Sequence, residues 1–484
     1  MKTRLIIIML SLLTAALVAS AGDTKPVPIG NRHQLLVDDF VIESSHSLVR
    51  EQGTVVKCRS NPVMRREFPW EASRCELYGS AFWDPSIRKI RLYYSAMSVP
   101  YQIQTAYAES KDGVHWTKPM FDIYPFGDAK LTNILWPGRY VTHGPSVFRD
   151  EHDADPTRRY KLLTADFPVP PSNTSPEKGP VGIDVCFSPD GVKWTPAPGN
   201  PVIAGLVSDT GQCVFWDANK RKYVAYLRTW LNGRLRSVTL SESADFVHWS
   251  DPKVVYSPTE EDQKNNWQFY SLSVTPYEGM YIGLVWIFPE VPESRDWNAD
   301  TPVTWPELAI SRDGKTWERV AFGKPFIPLG PKGAFDHRQI RTASSLVLMG
   351  DKILCFYAGS PDPHVAAHKY EIGMAEIKRD RFASMKAGSR EGELVTKPLV
   401  LPTGSLYVNA EVEPGGSIRA EIIDSRGIAL PGYSLAESDG FTGDSLSGRL
   451  TWRGRSALPP SSEVGTRVKF LMRKAKLYSF WVDR

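Results

Sequence analysis

Four stretches of the chain share one pattern of apolar and polar positions. In each, an apolar, β-rich run is followed by a short polar turn that ends in a tryptophan. The runs are TAYAE, GIDVCF, SVTLSE and ELAIS, and the turns that follow are SKDGVHW, SPDGVKW, SADFVHW and SRDGKTW. In each turn the aspartate can accept hydrogen bonds from backbone amides, and glycine supplies a positive φ in three of the four. The pattern predicts a strand, a tight turn and a tryptophan that packs back on its blade, at Trp116, Trp194, Trp249 and Trp317.

Five further stretches each read as strand, tight turn, strand. They span residues 81–96, 147–165, 214–228, 273–286 and 345–359. Repetition at intervals of roughly 55 to 80 residues, with several short strands in each unit, is typical of propeller blades. The fifth hairpin is followed by YEIGMAEIKRDRFASM, a degenerate last copy, so we predict five blades. The strand RHQLLVDDFVIE, residues 32–43, is expected to pair with the final blade and close the ring, which removes free sheet edges.

The pattern changes after Gly392 to alternating strands with glycine turns. The strands are LYVNAEV, SIRAEIID, RVKFLMR and LYSFWVD, and no tryptophan turn occurs among them. This stretch predicts a β-sandwich of roughly 90 residues that braces the rest. The expected fold class is therefore all-β, with a five-bladed β-propeller over residues 31–390 and a C-terminal β-sandwich over residues 391–484. A length of 484 residues with 42% hydrophobic and 23% charged residues is compatible with two globular domains.

Residues 1–21 have the pattern of a signal peptide. Lys2 and Arg4 precede an apolar run, and Ala19-Ser20-Ala21 forms a small-x-small cleavage site. A membrane anchor is the alternative, but the apolar run is shorter than the roughly 20 residues that span a bilayer. We expect a mature protein that starts near Gly22, is secreted or periplasmic, and has no membrane partner after cleavage.

Charge and cysteine content narrow the remaining classes of function. The formal net charge is +4 and the basic residues are scattered, so no nucleic-acid partner is expected. The five cysteines are an odd number without a CxxC pair, and neither a metal nor another cofactor is expected. Cys75 and Cys213 are predicted to be buried strand residues or, alternatively, one bridged pair. The sequence does not indicate an oligomeric state.

The repeat also predicts which residues meet at one mouth of the propeller channel, where the innermost strand of each blade begins. Anchor positions in the hairpins are Phe82, Phe148, Phe215, Val274 and Val347. The residues six positions earlier are Glu76, Thr142, Asp209, Gln268 and Arg341. Two carboxylates across a cleft suit glycosidic bond cleavage, in which one protonates the departing oxygen and the other attacks or activates water. Glu76 and Asp209 are therefore the predicted catalytic pair; the alternative is that each is a turn or cap residue.

Aromatic and polar residues near these positions are candidates for substrate binding. Six tryptophans lie in polar or proline-rich connections, where flat rings could face a sugar: Trp70, Trp136, Trp230, Trp267, Trp297 and Trp305. Residues 288–307 form a long connection that could build a wall of the site. Asp38 and Asp39 are a further acidic pair that could reach the channel.

The predicted layout resembles that of the glycoside hydrolases of families 32, 43 and 68, especially secreted bacterial proteins described as family-32-like. Similar segments include VGIDVCFSPDGVKW, VFWDANKRKYVAYLR, TPYEGMYIGLVW and LPGYSLAESDGFTGDSLSGRLTW. Family 32 carries an Asn-Asp-Pro-Asn nucleophile motif, an Arg-Asp-Pro motif and a Glu-Cys acid motif. The matching stretches are Cys75-Glu76-Leu77-Tyr78, His143-Gly144-Pro145 and Asp209-Thr210. Glu and Asp are exchanged between the two catalytic positions and Gly144 replaces an aspartate, so fructose specificity is not carried over.

The resemblance and the predicted mouth together imply an exported glycoside hydrolase that acts on a plant or algal oligo- or polysaccharide. Glu76 and Asp209 would be catalytic, and the carbohydrate would be bound by His143, Gln268, Arg338, Arg341, Trp70 and Trp267. A carbohydrate-binding propeller without catalysis is the second interpretation. A sialidase is a third, because S-x-D-G-x-x-W is close to the Asp box of that family. Sialidases have six blades and three arginines around one carboxylate, whereas the sequence indicates five blades and two arginines.

Overall fold

The computed structural model describes residues 25–99, 102–138, 141–167, 181–290, 303–364 and 369–483. Almost all regular structure in these ranges is β-strand. The short helical segments are Pro69–Glu71, Pro156–Arg158 and Glu260–Lys264. The predicted signal peptide, most of the long connection at residues 288–307 and Trp297 lie outside the described residues. In the part of the chain that is described, no helix is long and apolar enough to cross a bilayer.

Five antiparallel sheets follow one another along the chain and form five blades, as predicted. Blade 1 contains Arg74–Asp84, Lys89–Met97, Ile103–Ser110, Trp116–Thr117 and Ile134–Trp136. Blade 2 contains Val141–Arg149, Tyr160–Phe167, Gly182–Ser188, Thr195–Pro196 and Ile203–Ala204. Blade 3 contains Cys213–Asp217, Lys222–Leu231, Leu235–Ser243 and Lys253–Tyr256. Blade 4 contains Trp267–Tyr277, Met280–Pro289, Trp305–Ser311 and Glu318–Arg319. Blade 5 contains Gln339–Thr342, Val347–Met349, Lys352–Ser360, Glu371–Lys378 and Val56–Lys57.

The ring is closed by a different strand from the one predicted. Val56–Lys57 pairs antiparallel with Glu371–Lys378 and is the outermost strand of blade 5. Residues 32–43, which we expected in this place, instead contribute to a separate C-terminal sheet. The prediction was wrong because the stretch is apolar on both faces: Leu36 and Val41 are buried in the C-terminal core, while Leu35 and Val37 pack against blades 4 and 5.

The repeated tryptophan turn has the predicted construction. In the first copy, Ser110 Oγ accepts from the Gly113 amide at 2.8 Å, and Asp112 Oδ1 accepts from the amides of Val114 and His115 at 2.8 Å. The other three copies make the equivalent bonds. In the third copy Phe246 takes the glycine position with a φ of 70°.

Contacts between blades also pass through these turns. The hydroxyl of Tyr93 in blade 1 donates to the carbonyl of Gly191 in blade 2 at 2.8 Å, and Tyr226 in blade 3 donates to Gly314 in blade 4 at 2.7 Å. The motif therefore fixes both the end of its own strand and the position of the neighbouring blade.

Short polar side chains join the first strand of each blade to that of the next, and we call this set the inner belt. Its members are Ser80, Ser146, Cys213, Thr275 and Ser344. The bonds are Val147 N to Ser80 Oγ at 2.8 Å, Val214 N to Ser146 Oγ at 3.0 Å, Val274 N to Cys213 Sγ at 3.3 Å, Leu346 N to Thr275 Oγ1 at 2.9 Å, and Ser80 Oγ to Ser344 Oγ at 2.7 Å. The strand edges that face the axis would otherwise leave buried amides without hydrogen-bond partners. The inner belt supplies those partners and closes the ring.

A second repeated link lies farther from the axis. An aspartate near the end of the first hairpin strand accepts a hydrogen bond from a tyrosine in the next blade. The pairs are Asp84 with Tyr160, Asp150 with Tyr223, and Asp217 with Tyr281. A hydrogen bond to a charged group contributes about 1.5–3 kcal/mol to stability, so these pairs help to hold blades 1 to 4 in order.

The C-terminal region forms one hydrogen-bonded sheet of eight strands around its own apolar core. The strands are Gln34–Leu35, Ile42–His46, Leu48–Gln52, Ala383–Ala387, Gly392–Thr396, Ser405–Ile423, Asp444–Arg449 and Arg467–Asp483. Two longer strands, Ser405–Ile423 and Arg467–Asp483, pair along most of their lengths. The sheet takes in chain from before the propeller and from before the predicted boundary at residue 391, so the propeller is bracketed by strands of a single second unit.

None of the five cysteines, all of which are described, is in a disulfide, and Cys75 and Cys213 are buried strand residues. The bridged pair, which was the alternative for these two residues, is therefore excluded. Burial raises the pKa of the Cys213 thiol to about 12, which suits its structural role in the inner belt.

Candidate functional site

The predicted mouth residues lie where the first strands of the blades begin. Glu76, Thr142 and Gln268 are near the starts of the first strands of blades 1, 2 and 4, and Arg341 is in the first strand segment of blade 5. Asp209 precedes the first strand of blade 3 by a few residues. Thr142 hydrogen-bonds Thr164 and is fully buried, so it belongs to the wall of blade 2.

Two buried tyrosines meet at this end of the axis. Tyr78 and Tyr270 lie where the pairing register shifts, between Glu76 and Ser80 in blade 1 and between Phe269 and Leu272 in blade 4. A β-bulge turns side chains out of the regular alternation. The Tyr78 hydroxyl donates to that of Tyr270 at 3.2 Å.

The tyrosine pair rests on an aromatic floor. The ring of Trp286 stacks on Tyr78 with centroids 5.8 Å apart and on Tyr270 with centroids 6.4 Å apart. Trp286 donates from Nε1 to Thr342 Oγ1 at 2.8 Å, so its own polar group is satisfied within the wall. The Trp286 ring therefore packs under both tyrosines without a polar group of its own left to pair.

Three arginines lie around the ring of Tyr270. The guanidinium carbons of Arg228 and Arg341 are each 5.3 Å from its centroid, and that of Arg236 is 5.8 Å away. Arg341 also lies 5.0 Å from the ring of Tyr78. Blades 3 and 5 thus bring positive charge to the tyrosine pair from two sides.

The two predicted catalytic carboxylates are each held by one of these arginines. Glu76 accepts from Arg341 Nη1, and its other oxygen lies 3.5 Å from Arg74 Nη1. Asp209 accepts from Arg228. The exposed fraction of the side chain is 3% for Glu76 and 37% for Asp209, so Glu76 is internal and Asp209 lies at the rim. Each carboxylate is linked to Tyr270 through one arginine; their catalytic roles stay a prediction.

The positive charges change the acidity of Tyr270. Burial alone would raise its pKa, but the guanidinium groups of Arg341 and Arg228 and the hydrogen bond from Tyr78 outweigh burial, so the pKa of Tyr270 lies below its usual value. Burial raises the pKa of Tyr78 well above its usual value. The pair is therefore divided into a donor, Tyr78, and a more acidic acceptor, Tyr270.

Two histidines, the buried His143 and the half-buried His364, border the cluster as neutral imidazoles. Burial, reinforced by Arg74 and Arg228, lowers the pKa of His143 to about 3. Burial and the charge of Arg341 lower the pKa of His364 well below its usual value, and its Nδ1 lies 2.7 Å from Arg341 Nη2. The Nε2 atom of His143 is buried and has no hydrogen-bond partner among the described residues.

Gln268 is at the site, but it is engaged by protein groups. Its Oε1 accepts from Arg236 Nη1 at 2.9 Å, and its Nε2 donates to Glu290. For Arg338 the structure gives backbone bonds, from its amide to Ser360 and from Thr304 to its carbonyl. The proposed contacts of Gln268 and Arg338 with substrate stay predictions.

The two tryptophans predicted to bind substrate pack elsewhere. Trp70 is 2% exposed in the apolar core beside blades 1 and 5, stacks on Phe68 and donates to Asn133 at 2.7 Å. Trp267 packs edge-on against Trp305 and stacks on Phe322 beside blade 4. Both contacts are made with protein, so neither ring is the free platform that we expected.

Of the remaining tryptophans in the connections that the structure describes, Trp230 is the one at the cluster. Trp136 and Trp305 are buried. Trp230 is partly exposed, and the guanidinium carbon of Arg236 lies 4.2 Å from its ring. The further acidic pair is also remote, because Asp38 is bound by Arg312 at 2.8 Å and Asp39 by Arg50.

Sequence reasoning missed most of the residues that surround the predicted ones. These are Arg74, Tyr78, Arg228, Arg236, Tyr270 and His364. Tyr78 and Tyr270 each lie two positions after a predicted mouth residue, Glu76 and Gln268, so extending the same repeat position by one alternation would have found them. Arg228 and Arg236 lie on later strands of blade 3 and carry no signal in the first-strand repeat.

Gly144, which stands where family 32 has an aspartate, has a structural reason to be glycine. Its φ is 61°, and a Cβ atom there would lie 2.0 Å from the Thr210 carbonyl oxygen. No side chain fits at this position, so a carboxylate equivalent to the family-32 residue is excluded. Among the described residues, no group of three or more histidine, cysteine, aspartate or glutamate side chains is placed to hold a metal ion.

Comparisons with known proteins give similarities to solved structures. A glycosyl hydrolase from Bacteroides ovatus is 15% identical, with 68% of this chain and 94% of that chain covered and a TM-score of 0.47. An α-L-arabinofuranosidase from Podospora anserina in complex with cellotriose is 13% identical over 68% and 98%, with a TM-score of 0.44. A structure from work on GH130 mannoside phosphorylases and glycoside hydrolases that target β-1,2 mannosidic linkages in Candida mannan is 16% identical over 68% and 95%, with a TM-score of 0.46.

No protein-family model matches the chain, and no curated protein matches it significantly. With TM-scores below 0.5, the solved structures do not assign a substrate or site residues to this protein.

The buried state of His143 predicts a pH dependence of stability. The folded pKa, about 3, is below the ordinary value near 6.5, so the unfolded chain binds more protons between these values and stability rises with pH. In the wild type the free energy of unfolding should be larger at pH 7 than at pH 5. In His143→Gln this difference should be smaller by about 2 kcal/mol. Urea unfolding at the two pH values measures it, with the exposed His46→Gln as control. Equal pH dependence in the wild type and His143→Gln would contradict the assignment.

Proposed function

We propose that the protein is an exported glycoside hydrolase whose active site is the tyrosine, arginine and carboxylate cluster at the mouth of the propeller channel. The observation that carries the proposal is the convergence of Glu76, Tyr270, Arg228 and Arg341 from four blades. Buried ionisable groups with shifted acidity are typical of catalytic sites. The substrate expected from the family resemblance is an oligo- or polysaccharide of plant or algal type.

The cluster contains the groups that glycoside cleavage requires. One group must attack the anomeric carbon or activate water, and another must protonate the departing oxygen. Glu76 and Asp209 lie on different blades with Tyr270 between their arginine partners, which supports them as the catalytic pair. The acidic phenol of Tyr270 is a third group that can serve as nucleophile or base.

One observation favours the second candidate function, a carbohydrate-binding propeller without catalysis. Both carboxylates are engaged by arginines, Glu76 by Arg341 and Asp209 by Arg228. A carboxyl group that protonates a leaving group must give up such an ion pair during the reaction. The two functions therefore differ in whether these ion pairs open around a bound glycan.

Substitution of the carboxylates tests the catalytic proposal. Released sugars are measured from a library of plant and algal glycans, first with the wild type and then with Glu76→Gln and Asp209→Asn on the best substrate. Loss of a general acid, base or nucleophile should reduce kcat by at least about 100-fold for each variant. Glu376→Gln, which removes a carboxylate ion-paired with Lys352 in blade 5, should retain wild-type kcat.

The outcomes separate the two candidate functions. Cleavage by the wild type that persists in both carboxylate variants would contradict the assignment of the pair. Binding of a glycan without release of any product from the library would favour the binding module.

The export part of the proposal is tested by expressing the whole chain in a bacterial host that secretes proteins. Cleavage after Ala21 should yield a periplasmic or extracellular protein whose first residue is Gly22, as measured by intact mass and N-terminal sequencing. Changing Ala19 and Ala21 to bulky residues should prevent cleavage, because the cleavage site requires small side chains. A cytoplasmic product that retains Lys2 and Arg4 would contradict export.

A further inference from the structure

The arginine cluster around the tyrosine pair has more binding capacity than the protein uses. Its members are Arg74, Arg228, Arg236 and Arg341. Each of the four has a buried Nε atom without a hydrogen-bond partner among the described residues. Buried polar groups are normally paired, and a buried unpaired donor is costly. Arg66, Arg149, Arg158 and Arg379 have similar Nε atoms elsewhere among the described residues, so it is the gathering of four in one cluster that points to a ligand that accepts hydrogen bonds.

The hydrogen-bond partners that the arginines do have are unevenly distributed. Glu76 is the buried carboxylate of the cluster, and it is shared between Arg341 and Arg74. Asp209 at the rim binds Arg228. Arg236 is 3.7 Å from Glu290, a half-exposed carboxylate, and its closer partner is the neutral amide of Gln268. Four arginines therefore face three carboxylates, of which only Glu76 is buried, so the buried part of the site carries an excess of positive charge.

Three titrating groups next to the cluster shift in the direction that nearby positive charge favours. Burial and the nearby arginines lower the pKa values of His143 and His364, and arginines lower that of Tyr270 against the effect of burial. The two imidazoles therefore stay neutral, and the phenol of Tyr270 becomes more acidic. Both responses are those expected beside uncompensated positive charge.

A neutral sugar would leave this charge and these donors uncompensated. Planar guanidinium groups bind carboxylate, sulfate and phosphate oxygens with two parallel hydrogen bonds, and such charge-assisted bonds are about twice as strong as neutral ones. Arg236 stacks 4.2 Å from the ring of Trp230 and 4.8 Å from that of Phe288, which orients its guanidinium plane. The cluster is thus ordered before any ligand arrives.

We propose that the substrate of this site is an acidic sugar, and that the arginine cluster binds its negatively charged substituent, a uronate carboxylate or a sugar sulfate. The inference deepens the proposed function and rests on it. It also revises one element of the sialidase interpretation: the arginines that the sequence did not reveal are present, although the propeller has five blades. The anionic group would be bound beside Tyr270, with the sugar ring against the Tyr78, Tyr270 and Trp230 side.

Binding of free monosaccharides tests the inference without any need for turnover, since these probes have no glycosidic bond. Titration calorimetry or tryptophan fluorescence compares D-glucuronate, D-galacturonate and D-glucose 6-sulfate with D-glucose and D-galactose. At least one acidic probe should bind at least about tenfold more tightly than its neutral counterpart, and added salt should weaken that binding. Preference for the uronates or for the sulfate identifies the substituent.

Arg236→Gln is the diagnostic variant, because the Arg236 side chain is only partly buried, with an exposed fraction of 16%. It should lower affinity for the preferred acidic probe by about tenfold and leave that for the neutral sugar unchanged. Arg312→Gln, which removes an arginine bound to Asp38 away from the site, should bind as the wild type does. Unfolding curves for both variants are measured to check that each is folded.

Two outcomes would overturn the inference: equal affinity for acidic and neutral sugars, or an acidic preference that Arg236→Gln leaves unchanged. These outcomes are distinct from failure of the proposed function. A protein that cleaves neutral glycans refutes the inference alone, whereas one that binds glucuronate without cleaving any glycan refutes hydrolysis alone.

Discussion

The closure of five first strands around one axis is the constraint on which the rest of the structure depends. The side chains of the inner belt make the hydrogen bonds that close the ring; four of them are hydroxyls and one is the thiol of Cys213. Each bond contributes only about 1 kcal/mol to stability. Together these bonds fix the register of the first strands. A first strand that shifted by one residue would lose its belt partner and turn its side chains to the opposite face.

The site follows from this closure. Residues of blades 1, 3, 4 and 5 lie far apart in the sequence, yet the belt fixes them at the same height along the axis. Register shifts beside Tyr78 and Tyr270 then turn two phenols toward each other. Arg341 joins blade 5 to blade 1 through Glu76, so one ion pair bridges the seam of the ring and also supplies charge to Tyr270. Structure and electrostatics are therefore set by the same few contacts.

The repeats made the propeller predictable from the sequence, because each blade contains its own strand pattern and turn. The closing strand was mispredicted, since residues 32–43 and Val56–Lys57 both precede the propeller and only the former has a strong apolar pattern. First-strand positions such as Glu76 and Arg341 could be found from the repeat. Arg228 and Arg236 could not, because they lie on the later strands of blade 3, outside the first-strand repeat. The polar residues next to Trp70 and Trp267 in the sequence suggested that both rings are exposed. Residues distant in sequence, Asn133 and Phe322, contact them instead.

Ring closure brings Arg228 and Arg341 to Tyr270, and ultraviolet titration of tyrosine ionisation measures their effect on its acidity. The wild type should show one tyrosine that ionises below the usual range and that is absent from Tyr270→Phe. Arg341→Gln and Arg228→Gln should each raise the pKa of that group, while Arg312→Gln should leave it unchanged. A wild-type titration identical to that of Tyr270→Phe in the lower range, or one insensitive to both arginines of the cluster, would contradict the account.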